Sequence, residues 1–311
     1  MFRRILGALG VLVIASFLSF SLISLAPGDL AQSVAKQRTG SVGSPELVEQ
    51  IREEYGLNDP FFEQYWRWVS GAVRGDLGRS IETNVPIAQD VGERALTTLT
   101  LTGGALGFGI ILGVSLALIA AMRPGGAIDR ILRFVGLFAV SIPAFALALI
   151  LILYFSLQLG VLPVSGTDDG FKSWVLPCLV LGLAPAGAIS RVLRTALGDE
   201  MRQAYVTTAF SRGYSLPRVV LREALPATLT GLLAVIGVQF GLVFINTVVI
   251  EAIFGLTGLG QYFAHAAQFR DVPVVQSSLF LFALVFVVQS LIVDGLQALV
   301  DPRVRRESST V

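Results

Sequence analysis

The sequence predicts an all-α polytopic membrane protein with six transmembrane helices and an extracytoplasmic insertion between the first two. Three observations predict it. Mean hydropathy is +0.73, and charged residues make up only 14% of the 311, against about 25% in soluble domains. Six stretches, 5–26, 95–122, 131–159, 174–197, 228–254 and 274–300, are apolar enough to supply the roughly 20 residues that a spanning helix needs. With the N-terminus inside, fourteen of the 23 Lys and Arg residues fall on inner segments, and the two short outer loops hold only Lys172 and Arg270. That asymmetry puts both termini in the cytoplasm. The single cysteine and single histidine exclude an intrachain disulfide and a Cys/His metal cage. A net charge of +1 without a dense basic cluster gives no footprint for nucleic acid.

The boundaries expected are 1–26 for the cytoplasmic end and first span, 27–94 for the extracytoplasmic segment, 95–300 for the transmembrane core, and 301–311 for a cytoplasmic tail. Arg3 and Arg4 before an apolar run resemble a secretory leader, but a run of about 22 residues exceeds the core of a signal peptide. The first span therefore reads as a retained anchor. In the outer segment, Ser44-Pro45-Glu46 is a helix start with a cap, a first-turn proline and an acid at the positive dipole end. Leu47, Val48, Ile51 and Tyr55 share one face of that helix, Gly56 offers a stop, and Asn58-Asp59-Pro60 reads as a turn. A second helix carries Phe61, Phe62, Tyr65, Trp66 and Trp68. Such an aromatic side suits either anchoring at the headgroup level or contact with a delivery protein.

The glycines at 103, 107, 109 and 113, and at 237 and 241, form small-x3-small faces. They serve packing within the chain or a partner interface. Pro143, Pro177 and Pro185 are candidates to kink the third and fourth spans. Cys178 reads as a small buried hydrophobe, and His265 as a solvated residue of an outer loop.

The inner loop 199–225 reads as two short helices, one over 200–212 and one from about Pro217 to Ala224, broken at Gly213-Tyr214-Ser215. Met201, Tyr205, Thr208 and Ala209 fall near one face of the first. Two readings stand side by side: a short helix that docks in a groove of another protein, and a solvated basic loop. The only lysines, Lys36 and Lys172, do not follow glycine, so the chain has no phosphate-cradling Gly-x4-Gly-Lys loop. Energy for any pumping must then come from a separate subunit.

Ala209, Gly213 and Leu225-Pro226 at their spacing resemble the coupling-loop signature of ATP-binding-cassette importer permeases. Thr207-Thr208-Ala209 stands where that signature has Glu-Ala-Ala. The run from Tyr205 to Gly213 is closer to the dipeptide, oligopeptide and nickel branch. Further likenesses to that branch follow in order: Pro27-Gly28-Asp29, Tyr55 to Pro60, Gln64-Tyr65, Gly75 to Ser80, Glu251 to Phe254, Gly258-Leu259-Gly260, Arg270 to Gln276, and Asp301 to Arg305. Thr257 departs from a frequent proline before Gly-Leu-Gly.

The resemblance implies a type I importer permease in a bacterial inner membrane. It implies a homologous second permease as a heterodimer partner, two ATPase subunits that bind ATP and Mg, and an external substrate-binding protein. No cofactor is expected in this chain. The implied mechanism is alternating access, with di- or oligopeptides as the expected solutes. Tyr205, Thr207, Thr208, Ala209, Arg212, Gly213, Leu225 and Pro226 are the expected coupling residues. Glu251, Phe254, Gly258, Gly260 and Asp271 are candidates for path or gate. An acid inside a span usually faces protein or water and carries function. Glu251 therefore reads either as a path acid or as an interfacial acid held by donors of the 255–260 turn or by Arg270. Asp271 and Asp294 read mainly as structural. A secondary carrier and a non-transporting scaffold are the competing functions.

Overall fold

The computed structural model describes residues 2–24, 30–40, 44–122 and 142–300. The likenesses at 27–29 and 301–305, and most of the first half of the third predicted span, lie outside them. The described residues form helices and no strand; one isolated bridge joins Arg79 and Pro86. The helices are α1 (Phe2–Ser24), α2 (Leu30–Thr39), α3 (Pro45–Glu54), α4 (Phe61–Val73), α5 (Ile87–Met122) and α6 (Ala144–Leu151). They continue with α7 (Phe171–Glu200), α8 (Ala204–Ser211), α9 (Leu216–Val219), α10 (Leu225–Phe254), α11 (Leu259–Phe269) and α12 (Val272–Val300). Two π-helical segments, Ile152–Gln158 and Val220–Ala224, extend α6 and join α9 to α10. Among the described residues four helices are long and apolar enough to cross a membrane: α5, α7, Leu216–Phe254 and α12. Leu6–Ser21 and Ala144–Gln158 are shorter apolar helices.

The chain forms two compact units, 1–96 with 257–288, and 97–256 with 289–311. Their borders fall inside α5 and α12, so the outer segment belongs to a larger body than 27–94.

In the first unit, α3 starts as its sequence predicts, with Ser44 Oγ accepting from Leu47 N at 3.3 Å. Val48 and Ile51 are buried against Ala31, Val34 and Ala35 of α2, a helix the sequence did not announce. The aromatic side of α4 is divided. Phe61 and Tyr65 pack edge-on against Phe17 and Phe20 of α1 with ring centroids 5.2–5.8 Å apart, and Trp68 packs on Phe280. Phe62 and Trp66 are exposed. Phe61, Tyr65 and Trp68 are half-buried by these ring contacts, and no residue of α4 is fully buried.

In the second unit, α7 is the central element. Its first half joins α5, α6 and α10 around Leu101, Ala105, Ala148, Val180, Val243 and Phe254. Its second half joins α5 and α10 around Ala117, Ile189, Leu193, Leu197 and Leu232. The predicted glycine faces separate here. A Cβ at Gly109 would meet Gly182 O at 2.9 Å, and one at Gly113 would meet Ala186 O at 2.7 Å. These glycines bring α5 onto α7, whereas Gly103 and Gly107 have open space beside them. Gly237 lies against Gln289 and Val293 of α12. Helices in lipid gain most from such close approach, because their side chains gain little from leaving an apolar solvent.

Candidate functional site

The segment between α7 and α10 folds as a small built structure. Helix α7 runs on to Glu200, so the first loop helix starts at Ala204 rather than at 200. Its inward face is Val206 and Ala209, which pack on Val219 with Met201 and Tyr214 beside them. Tyr205 and Thr208, expected on that face, point outward. The reason is the late start: the three-residue turn after Glu200 resets the helical phase. Gly213 ends the helix at φ +80°, a left-handed conformation that glycine adopts without steric penalty. The second predicted loop helix is not separate. From Leu216 the chain passes through the π-turn into α10 without a break, as one 39-residue helix.

Two side-chain contacts fasten this segment. Tyr205 Oη donates to Glu200 Oε2 at 2.7 Å, and the Arg218 guanidinium lies 3.9 Å from the Tyr214 ring centroid, a cation–π geometry. Burial, then the hydrogen bond and charge of Glu200, then the charge of Glu223, push the Tyr205 phenol up to about 12. It therefore remains a donor across the physiological range. The outer surface of α8 shows Tyr205, Thr207, Thr208, Phe210 and Arg212. Tyr205 and Phe210 are 40% and 42% exposed, and Leu221 on the π-turn 44%. Ala209 is buried, Leu225 packs partly buried at the start of α10, and Pro226 is exposed beside it. Tyr205, Thr207, Thr208 and Arg212 are thus exposed around α8 with Phe210, whereas Ala209 faces inward and Leu225 packs in a separate cluster with Ile189 and Leu193.

The path and gate candidates meet a different fate. Glu251 is 0% exposed, and Thr98 Oγ1 donates to its Oε1 at 2.6 Å. It is a buried acid bound to Thr98 of α5. Phe254 is core. Gly258 caps α11 in extended backbone, and Gly260 is buried within that helix. Asp271 is 3% exposed and accepts from Ser80 Oγ at 2.5 Å and from the N–H groups of Ile81 and Glu82 at 3.2 Å. It ties the 80–82 turn to the start of α12. His265 is not a loop residue; it sits on α11 with Nδ1 3.3 Å from Glu82 Oε2. On the same helix, Tyr262 Oη donates to Asp90 at 3.3 Å and its ring lies 4.4 Å from Arg94.

A cavity of about 300 Å³ lies among α6, α7 and α10. Pro143, Leu147, Leu181 and Pro185 line it, with Gln239 and Asn246 as its polar side chains. None of the five path or gate candidates does.

The sequence matches the binding-protein-dependent transport system inner membrane component over residues 109–306. It matches the N-terminal membrane component of the same systems over residues 1–102. The chain belongs to that permease family. The glutathione transport system permease protein GsiC of Escherichia coli is 34% identical over 303 residues, 97% of each chain. GsiC of Shigella dysenteriae matches equally. Among solved structures, an inward-facing form of the MetNI methionine ABC transporter superposes with a TM-score of 0.56 at 19% identity, covering 67% of this chain and 95% of that one. The fold is therefore that of a type I importer permease. This permease is a multi-pass inner-membrane subunit of a binding-protein-dependent ABC importer and is not itself an ATPase. Its family works with partner permeases, ATPases and binding proteins.

Proposed function

We propose that this permease imports di- or oligopeptides by alternating access, as one half of a heterodimeric membrane core. It crosses the membrane six times with both termini in the cytoplasm. Two separate ATPase subunits bind ATP and Mg and dock on α8 and the turn around Gly213. An extracytoplasmic binding protein delivers the solute. The chain itself holds no cofactor. The observation that carries the peptide reading is the end-to-end likeness to permeases of a tripeptide transport system. The exposed Tyr205 and Phe210 on α8 and Leu221 after it support the docking role, because outward apolar side chains on a short helix fit a groove on another protein.

Affinity capture of the tagged chain from its native membranes tests this, with mass spectrometry and an ATPase assay of the captured complex. Recovery of a second permease and an ATPase, with hydrolysis stimulated by a peptide-loaded binding protein, is the expected result. Capture of the chain without an ATPase would end the importer reading.

Gly213→Val is expected to uncouple ATP hydrolysis from uptake. A β-branched residue at φ +80° costs on the order of 1–3 kcal/mol, and no neighbour lies within 4 Å of a Cβ there. The strain therefore falls on the turn itself and shifts α8. Uptake in proteoliposomes should fall at least about fivefold while hydrolysis continues; unchanged uptake per ATP would count against the role of the turn.

A further inference from the structure

We propose that the cavity among α6, α7 and α10 is a site within the membrane that holds the backbone of a short peptide in transit, with Gln239 and Asn246 reading its amide groups. The inference rests on the peptide-import reading above. Gln239 and Asn246 are seven residues apart on α10, which puts them on one face and about 10 Å apart along the axis. An extended chain covers that length in about three residues.

The cavity's polar inventory is neutral and two-sided. Asn246 Nδ2 donates to Leu242 O at 2.7 Å, which leaves its Oδ1 to accept from a ligand N–H. Gln239 offers both an acceptor and donors. Pro185 has no N–H to give the Leu181 carbonyl, so an acceptor on the wall lacks its helical partner; both residues line the cavity. Among the described residues no charged side chain lines it, and the rest of their wall is aliphatic or proline. A peptide backbone matches this inventory, since its donors and acceptors alternate and carry no net charge. Sugars would need more polar groups, and a metal chelate would need charged ones. About 300 Å³ is the lower end of small-molecule pockets, enough for a short peptide segment.

The test uses the complete transporter in proteoliposomes with its binding protein saturated by each probe in turn. The probes are trialanine and trialanine methylated on both peptide nitrogens. Gln239→Leu and Asn246→Leu leave the charge unchanged and delete the amides. Trialanine uptake should fall about tenfold in each, and the preference for trialanine over its methylated form should largely vanish. ATP hydrolysis measured in the same vesicles separates a transport defect from a failure of the complex to assemble. Wild-type uptake and preference in both variants would overturn the site. So would a parallel loss of uptake and hydrolysis, which would make the amides part of subunit assembly.

Photolabelling of the unaltered transporter with a diazirine-bearing trialanine needs no variant to assemble. Adducts within 142–147, 181–188 or 239–246 support the site; adducts confined to other segments overturn it. A transporter that hydrolyses ATP but imports neither probe would refute the peptide reading itself, and this site with it.

Discussion

Gly182→Val is expected to lower the melting midpoint of the purified chain by about 5 °C. A Cβ at Gly182 would lie 2.5 Å from the Ala105 carbonyl oxygen and 2.7 Å from a ring carbon of Phe108. The Phe108 ring can rotate away, but the Ala105 carbonyl is backbone of α5, so the two helices must separate. Overpacking of a tight core typically costs about 1–3 kcal/mol, and a backbone collision stands at the upper end. The helix separation would also open the contacts of Gly109 and Gly113 with α7. The chain carries its own reporter: Cys178, the only cysteine, lies on α7 against Gly104, with its Sγ 2.7 Å from where a Cβ would stand. A thiol-reactive dye therefore reads the loss of this interface on heating. Gly103→Ala is the control, because open space surrounds that position and alanine favours a helix over glycine. Its midpoint should hold or rise. Equal midpoints for Gly182→Val and wild type would refute the close approach of α5 and α7.

Asp271→Ala is expected to speed tryptic cleavage after Arg79 by about 30-fold, the equivalent of about 2 kcal/mol of local opening. The carboxylate accepts from one hydroxyl and two backbone N–H groups of the 80–82 turn. Removing it leaves these donors without their acceptor, at about 1–3 kcal/mol for a fully buried group and less where water can enter. Arg79 itself is exposed, so cleavage there is limited by opening of the turn rather than by access. Asp271→Asn keeps an acceptor oxygen and loses the charge, and should fall between the two. A cleavage rate unchanged in Asp271→Ala would mean that the turn is held by other bonds.

Glu251, inside a predicted span, and Asp271, in the loop before the last one, are each a buried acceptor for a residue far away in the chain. Thr98 is 153 positions from Glu251, and Ser80 is 191 positions from Asp271. Nothing local marks these pairings. The converse holds for Gln239 and Asn246, which passed unremarked in an apolar run and line a cavity together with residues of α6 and α7.

By itself the sequence determined the solvent, the helical class, the start of α3 and the glycine that ends α8. These follow from local chemistry: a run of about 20 apolar residues satisfies its backbone in lipid only as a helix, and caps and left-handed turns are set within a few residues. Only the tertiary structure decided which glycines bring α5 onto α7, which of the α4 aromatics pack on other rings, and which way each polar residue of α10 faces. A spanning helix is apolar on every side, so its hydrophobic pattern carries little record of which face meets protein and which meets lipid. That choice is made by packing between segments distant in the chain.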